Sequence, residues 1–117
     1  MRPTVLIVDD SPSYRSAARA LLESEGFEVV GESTTGEDAL ADSERLRPDI
    51  VLLDIGLPDI DGIAVAERLN ARPNGPVVVL VSTRDGTGCE QVFHRCGARG
   101  FIPKAELSGE AITALAA

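Results

Sequence analysis

The feature that most constrains this chain is an alternation that recurs five times along its length. Short β-branched apolar runs of strand length are each followed by a stretch with apolar residues at helical spacing. Thr4-Val5-Leu6-Ile7-Val8 leads to Ser11-Pro12, an N-cap with proline at the first helical position. Tyr14, Ala17, Ala18, Leu21 and Leu22 then form an inward stripe that Gly26 ends. Phe27-Glu28-Val29-Val30, closed by Gly31, precedes a helix that Thr35 caps with Asp38 three residues on. Its inner face is Ala39, Leu40, Ser43 and Leu46, and Pro48 stops it. Ile50-Val51-Leu52-Leu53 ends in Asp54, and Asp61 caps a helix with Ile63, Val65, Ala66 and Leu69 inward. Pro76 to Val81 ends in Ser82-Thr83, and a polar loop leads to a helix with Cys89, Val92, Phe93 and Cys96 on one stripe. Gly100-Phe101-Ile102 is followed by Pro103-Lys104 and a last helix, capped by Ser108, with Ala111, Ile112 and Leu115 inward. Such alternation predicts an α/β fold: a parallel sheet, helices on both faces, right-handed crossovers. A length of 117 residues predicts one domain, 1–117.

Charge and composition remove whole classes of function. A formal charge of −8 is the opposite of a nucleic-acid footprint, so this domain is not expected to bind DNA or RNA directly. No apolar run approaches the roughly 20 residues needed to span a bilayer. Met1-Arg2-Pro3-Thr4 leads straight into a strand and not into a signal peptide, which predicts a cytoplasmic protein with no membrane partner. Cys89 and Cys96, if on one helix, lie roughly 10 Å apart from the helical rise, too far for a disulfide. Their spacing fits no zinc motif. His94 reads as a surface residue and Tyr14 as a partly buried helix residue. Ten arginines accompany a single lysine, Lys104, a position where a compact ammonium is wanted.

All strands of a parallel sheet point their carboxyl ends at one edge, where ligands of open α/β sheets bind. Asp9 and Asp10 follow the first predicted strand, Asp54 the third, Ser82 and Thr83 the fourth, and Lys104 the fifth. Three clustered carboxylates repel one another unless a cation sits among them. An all-oxygen, carboxylate-rich site on rigid strands suits Mg²⁺, with Mn²⁺ also acceptable. Lys104 and Ser82 are surplus to metal binding and suited to the other oxygens of a phosphoryl group. The site therefore reads as metal-assisted phosphoryl chemistry with a carboxylate nucleophile.

Asp9-Asp10, Asp54 with Leu57-Pro58 and Asp61-Gly62 behind it, Ser82-Thr83, and Phe101 followed by Pro103-Lys104 together resemble the receiver domain of two-component response regulators. The match covers essentially the whole chain. The resemblance implies a flavodoxin-like (CheY-like) doubly wound sheet of five strands in order 2-1-3-4-5, with five helices. It implies that Asp54 accepts a phosphoryl group from a histidine kinase or a small acyl phosphate. Asp10 and Asp54 would hold Mg²⁺ directly with the Gly56 backbone carbonyl, and Asp9 largely through water. Lys104 would pair with Asp54 and then with the phosphoryl oxygens, while Ser82 and Thr83 contact them and Phe101 follows Ser82 inward. That motion would act on a face within residues 87–116, through which a homodimer or an intramolecular output domain is controlled.

The phrases Asp54-Ile-Gly-Leu-Pro-Asp-Ile-Asp-Gly and Arg99-Gly-Phe-Ile-Pro-Lys104 are similar to receivers fused to LuxR/NarL-type helix-turn-helix domains. A transcription regulator whose DNA-binding half lies outside this chain is the implied output, with a stand-alone phosphorelay or motility receiver as the alternative. Gly56 and Arg84 hold the positions that tune phosphate loss in the family. Gly56 has no side chain to orient an attacking water, so autodephosphorylation is expected not to be fast. Turnover catalysis is not expected. A haloacid-dehalogenase-type Mg²⁺ phosphatase would want an Asp where Gly56 stands, and a flavodoxin would want a hydroxyl-rich phosphate loop where Asp9-Asp10 stand. A receiver that has lost its phosphorylation chemistry is disfavoured because all five key positions are filled.

Overall fold

Five apolar runs of this chain pair as parallel strands: β1 (Thr4–Val8), β2 (Glu28–Ser33), β3 (Ile50–Asp54), β4 (Val77–Ser82) and β5 (Gly100–Pro103). The structure, a computed structural model, describes residues 2–82 and 96–116. The strand order is β2-β1-β3-β4-β5, as the family resemblance implies. Four α-helices lie among the described residues: α1 (Pro12–Ser24), α2 (Gly36–Leu46), α3 (Gly62–Asn70) and α4 (Gly109–Ala116). Of the predicted helix stripe, Cys89, Val92 and Phe93 lie outside them, as do Thr83, Arg84 and His94, while Cys96 is described and buried in the core.

Successive residues of a strand point to opposite faces, so each central strand feeds two cores. Leu6, Val8, Val51, Leu53, Val78 and Leu80 pack with Ala39, Val65, Ala66 and Leu69 under α2 and α3. Val5, Ile7, Ile50, Leu52, Val79 and Val81 pack with Ala18, Leu22 and Ile112 under α1 and α4. Every residue of β3 is buried. Each large aliphatic side chain so covered contributes about 1.5–3 kcal/mol. This two-sided burial is why the strands read as unbroken apolar runs.

Strand boundaries and one helix face differ from the sequence reading. β2 does not close at Gly31 but runs on to Ser33. At Gly31 a Cβ would lie 2.7 Å from Leu46 Cδ1 and 3.3 Å from Leu6 Cδ1, so these side-chain ends pack directly on the strand backbone. The β1–β2 register shifts between Val5 and Leu6 to accommodate the pairing. β4 begins at Val77, where the first N–H able to donate to Asp49 O occurs, at 2.9 Å, since Pro76 has none. On α1, Ala17 faces solvent, and Ala18 and Leu22 are the fully buried positions.

Long-range side chains fix the elements around the sheet. Asp49 Oδ2 accepts from Thr4 N at 2.9 Å and from Thr4 Oγ1 at 3.1 Å, tying the start of β1 to the entry of β3. Asp59, in the loop after β3, accepts from Gly36 N at 2.7 Å and from Glu37 N at 3.1 Å. It thereby caps α2 from outside, beside the local Thr35 cap on Asp38 N at 3.1 Å.

Candidate functional site

The carboxyl ends of β1, β3, β4 and β5 lie along one edge, and each delivers a polar residue there. β1 runs into Asp9, fully buried, and Asp10, exposed. Asp9 N donates to Ser33 O at 3.0 Å, continuing the ladder with β2. Asp9 Oδ1 accepts from Ser11 N at 2.8 Å, which turns the chain into α1. Arg15 Nη1 donates to the Asp9 carbonyl at 2.7 Å, while its Nε is held by Glu32 Oε1 at 3.0 Å. Glu32 is itself gripped by Arg19 at 2.8 Å. The turn that carries both aspartates is thus fixed from β2, from α1 and from its own side chain.

Asp54 ends β3 with 6 % of its surface exposed, and its Oδ1 accepts from Gly56 N at 3.1 Å. Behind it Gly62 opens α3 against the strand end. A Cβ at Gly62 would lie 2.5 Å from Ile55 Cα and 2.6 Å from Asp54 O, so only glycine allows this approach. At Gly56 no such crowding exists: a Cβ would meet only Asp54 Oδ1, at an ordinary 3.7 Å. Ser82 ends β4, buried, in register with Pro103 of β5. Thr83 lies outside the described residues. Phe101 is half-buried on β5 and packs against the core under α2 and α3.

Lys104 follows β5 at the start of a 3₁₀ turn, Lys104–Glu106. Its Nζ stands 2.6 Å from Asp9 Oδ2 and 3.5 Å from Asp54 Oδ2. The nearer partner is Asp9, where the sequence reading expected Asp54. Asp9 Oδ2 is buried, and its close contact with the ammonium is a charge-assisted one. The centroid of the Tyr14 ring lies 4.4 Å from the same ammonium, and its hydroxyl is buried with no hydrogen-bond partner among the described residues.

Burial pushes the Asp54 carboxyl above the usual carboxylate range; the Gly56 N–H opposes the shift, the Asp9 charge adds to it, and Lys104 opposes it without cancelling it. Burial works to lower the Lys104 ammonium, but Asp9 and Asp54 outweigh it and the group is raised. The Tyr14 phenol is raised by burial first, then by the charges of Asp9 and Asp54. All three groups sense an excess of negative charge.

Oxygen atoms of Asp9, Asp10 and Asp54 lie within 4.8 Å of one another. Against three carboxylates stands one ammonium, so among the described residues the cluster keeps a net negative charge. Hard oxygen donors with uncompensated charge on rigid strand ends fit a small divalent cation. The structure therefore brings Asp9, Asp10, Asp54 and Lys104 into one cluster and places Ser82 at the same edge. Sequence reasoning missed Arg15 and Tyr14 as parts of this surround. For Tyr14 the only hint is its place on the inward stripe of α1, one helical turn after Asp10.

The family model "Response regulator receiver domain" matches residues 5–116. The virulence-factor transcription regulator BvgA of Bordetella pertussis is 44 % identical over 113 residues, covering 94 % of this chain and 53 % of its own. The DNA-binding transcriptional activator EvgA of Escherichia coli K12 is 34 % identical over 112 residues, covering 96 % and 55 %. The chain thus spans about half the length of these curated relatives. A LuxR-family two-component response regulator from Aurantimonas sp. SI85-9A1 superposes with a TM-score of 0.89 at 26 % identity, over 99 % of this chain and 86 % of that one.

Proposed function

This chain belongs to the response regulator receiver domain family, and from that premise we propose that Asp54 is its phosphoacceptor. The observation that carries the proposal is the placement of Asp54 Oδ2 beside Lys104, at 3.5 Å, within a cluster of three carboxylates. An Asp54 carboxylate oxygen attacks phosphorus and forms the acyl phosphate. The bond that breaks is the P–N bond of a histidine kinase's phosphohistidine, whose imidazole leaves, or the P–O bond of a small acyl phosphate, which leaves as carboxylate. Asp10, Asp54 and the Gly56 carbonyl would hold Mg²⁺, or Mn²⁺ in its place, with Asp9 acting largely through water. When bound, the ion neutralises the phosphoryl oxygens during transfer.

Lys104 then exchanges its present contact with Asp9 for the phosphoryl oxygens, and Ser82 and Thr83 supply hydroxyl donors. Phe101, half-buried on the strand next to that of Ser82, would follow it inward. The shift biases a face within residues 87–116, which regulates either a second copy or an output domain in the same protein. The relatives BvgA and EvgA are named as a transcription regulator and a DNA-binding transcriptional activator, and the Aurantimonas regulator as LuxR-family; they support a LuxR/NarL-type DNA-binding output outside this chain, with a stand-alone phosphorelay or motility receiver as the alternative. Among the described residues no helix is long and apolar enough to cross a membrane, consistent with signalling in the cytoplasm. The domain acts as a switch whose only chemistry is gaining and losing one phosphoryl group. Loss is not especially fast, because Gly56 offers no side chain to orient water.

Intact-protein mass after incubation with acetyl phosphate and Mg²⁺ tests this. One phosphoryl adduct is expected on the wild type, absent in EDTA and absent in Asp54→Asn. An adduct that persists in Asp54→Asn overturns the assignment of the acceptor.

A further inference from the structure

Tyr14 has the company of a functional residue without a hydrogen bond to explain its burial. Its ring faces the only lysine of the chain at 4.4 Å, and that lysine bridges Asp9 and Asp54. The Lys104 side chain is 15 % exposed, so the ammonium is largely withdrawn from water. It has a stem with four rotatable bonds, and two carboxylates at unequal distance compete for it. An aromatic face attracts a cation through its quadrupole, most strongly where water is excluded. The Tyr14 hydroxyl is buried and has no hydrogen-bond partner among the described residues.

We propose that Tyr14 is a positioning residue for Lys104, its ring face holding the ammonium beside the Asp9 and Asp54 carboxylates so that it meets the transferring phosphoryl group. The inference rests on the assignment of Asp54 as acceptor for its consequence, but not for its geometry. The ring closes one side of the space open to Nζ, leaving the carboxylate side as the direction in which the ammonium travels. A leucine at position 14 fills similar volume with no quadrupole, and the ammonium then spreads over orientations that do not face phosphorus. A phenylalanine keeps the face and removes the hydroxyl.

Two readouts test this on the 117-residue chain. The first is geometric and needs no phosphorylation. Lysine-selective ¹³C labelling yields one ε-CH₂ signal, from Lys104. Ring current shifts it upfield in wild type and in Tyr14→Phe, and it returns to the value of a free lysine in Tyr14→Leu. An unshifted wild-type signal, or one that Tyr14→Leu leaves in place, overturns the proposal.

The second is the rate of phosphorylation by acetyl phosphate in Mg²⁺. Tyr14→Leu is expected to slow it by about 3- to 30-fold, the span that corresponds to the range of cation–π strengths. Tyr14→Phe stays within about twofold of wild type on the same scale. In a Lys104→Gln background Tyr14→Leu has no further effect, because the interaction it removes is already gone. A slowing that persists undiminished in that background shows a merely structural role and overturns the proposal, as does a Tyr14→Phe rate as low as that of Tyr14→Leu. A wild type that takes no phosphoryl group refutes the proposed function instead, and the lysine signal then decides the positioning role alone.

Discussion

Replacing Asp10 by asparagine should make the metal-free protein more stable and the metal-bound protein less so. Oxygens of Asp9, Asp10 and Asp54 lie within 4.8 Å of one another. Two unit charges at that separation repel by about 0.9 kcal/mol in water-like surroundings and about 3.5 kcal/mol at an effective dielectric of 20. Asp10 is exposed, so the lower figure applies to each of its two repulsions. Lys104 attracts all three carboxylates and returns part of this, leaving a net gain of about 1 kcal/mol for the neutral variant. For a domain of this size that is about 4 °C in Tm. Mg²⁺ acts in the opposite sense: at a hundred times its Kd it stabilises the wild type by about 2.7 kcal/mol. The variant, short of one ligand, gains much less. Thermal melts of both proteins in EDTA and across a Mg²⁺ series should therefore show the variant higher without metal and the order closing or inverting as Mg²⁺ rises. A variant that melts at or below wild type in EDTA, or equal Mg²⁺ increments in both, would refute the electrostatic reasoning.

Gly62→Ala forces a methyl into the backbone of Asp54 and Ile55, at 2.6 and 2.5 Å, where nothing can yield. A loss of roughly 1–3 kcal/mol in urea unfolding is expected, with slower phosphorylation because the Asp54 strand end shifts; unchanged values in both assays would contradict the packing account. Lys104→Gln removes the ammonium that faces Asp9 and Asp54, and phosphorylation by acetyl phosphate, followed by intact mass, should slow by roughly 10- to 100-fold. Glu32 is held below the usual carboxylate range chiefly by its hydrogen bond from Arg19, with burial opposing and Arg15 adding to the effect. A lowered folded-state pKa gives stability that is present above the unfolded value of about 4.3 and is lost as pH falls through the folded value. Glu32→Gln should therefore cost about 0.5–1 kcal/mol at pH 7, and its melting curve should converge on that of the wild type under more acidic conditions. A gap that widens on acidification would reverse the sign.

Strand and helix identity was legible because both cores draw on alternate residues of the same runs, so each central strand announces itself as unbroken Val, Ile and Leu. The strand order was not contained in the alternation; it came from the resemblance, and the parallel registers agree with it. Gly31 misled because a glycine inside a strand looks, in the sequence, like a glycine that ends one. The cluster of Asp9, Asp10, Asp54 and Lys104 was legible because parallel strands send their carboxyl ends to one edge. What the sequence hid were contacts between separate elements: Asp59 on the start of α2, Asp49 on Thr4, and, over only six residues, Arg15 on the Asp9 carbonyl. None has a local spacing signature, since each partner is set by how separate elements pack. Tyr14 was read as a stripe residue, which it is; that its ring also faces Lys104 depends on a fifth strand ninety residues on.

The most direct test of the account is to locate the acyl phosphate chemically. After reaction with acetyl phosphate and Mg²⁺, borodeuteride reduces an aspartyl phosphate to deuterated homoserine, which peptide mass spectrometry places in the chain. The account predicts homoserine at position 54 and unreduced aspartates at positions 9 and 10. Homoserine at position 9 or 10, or none at position 54 in a sample whose intact mass shows the adduct, would contradict it.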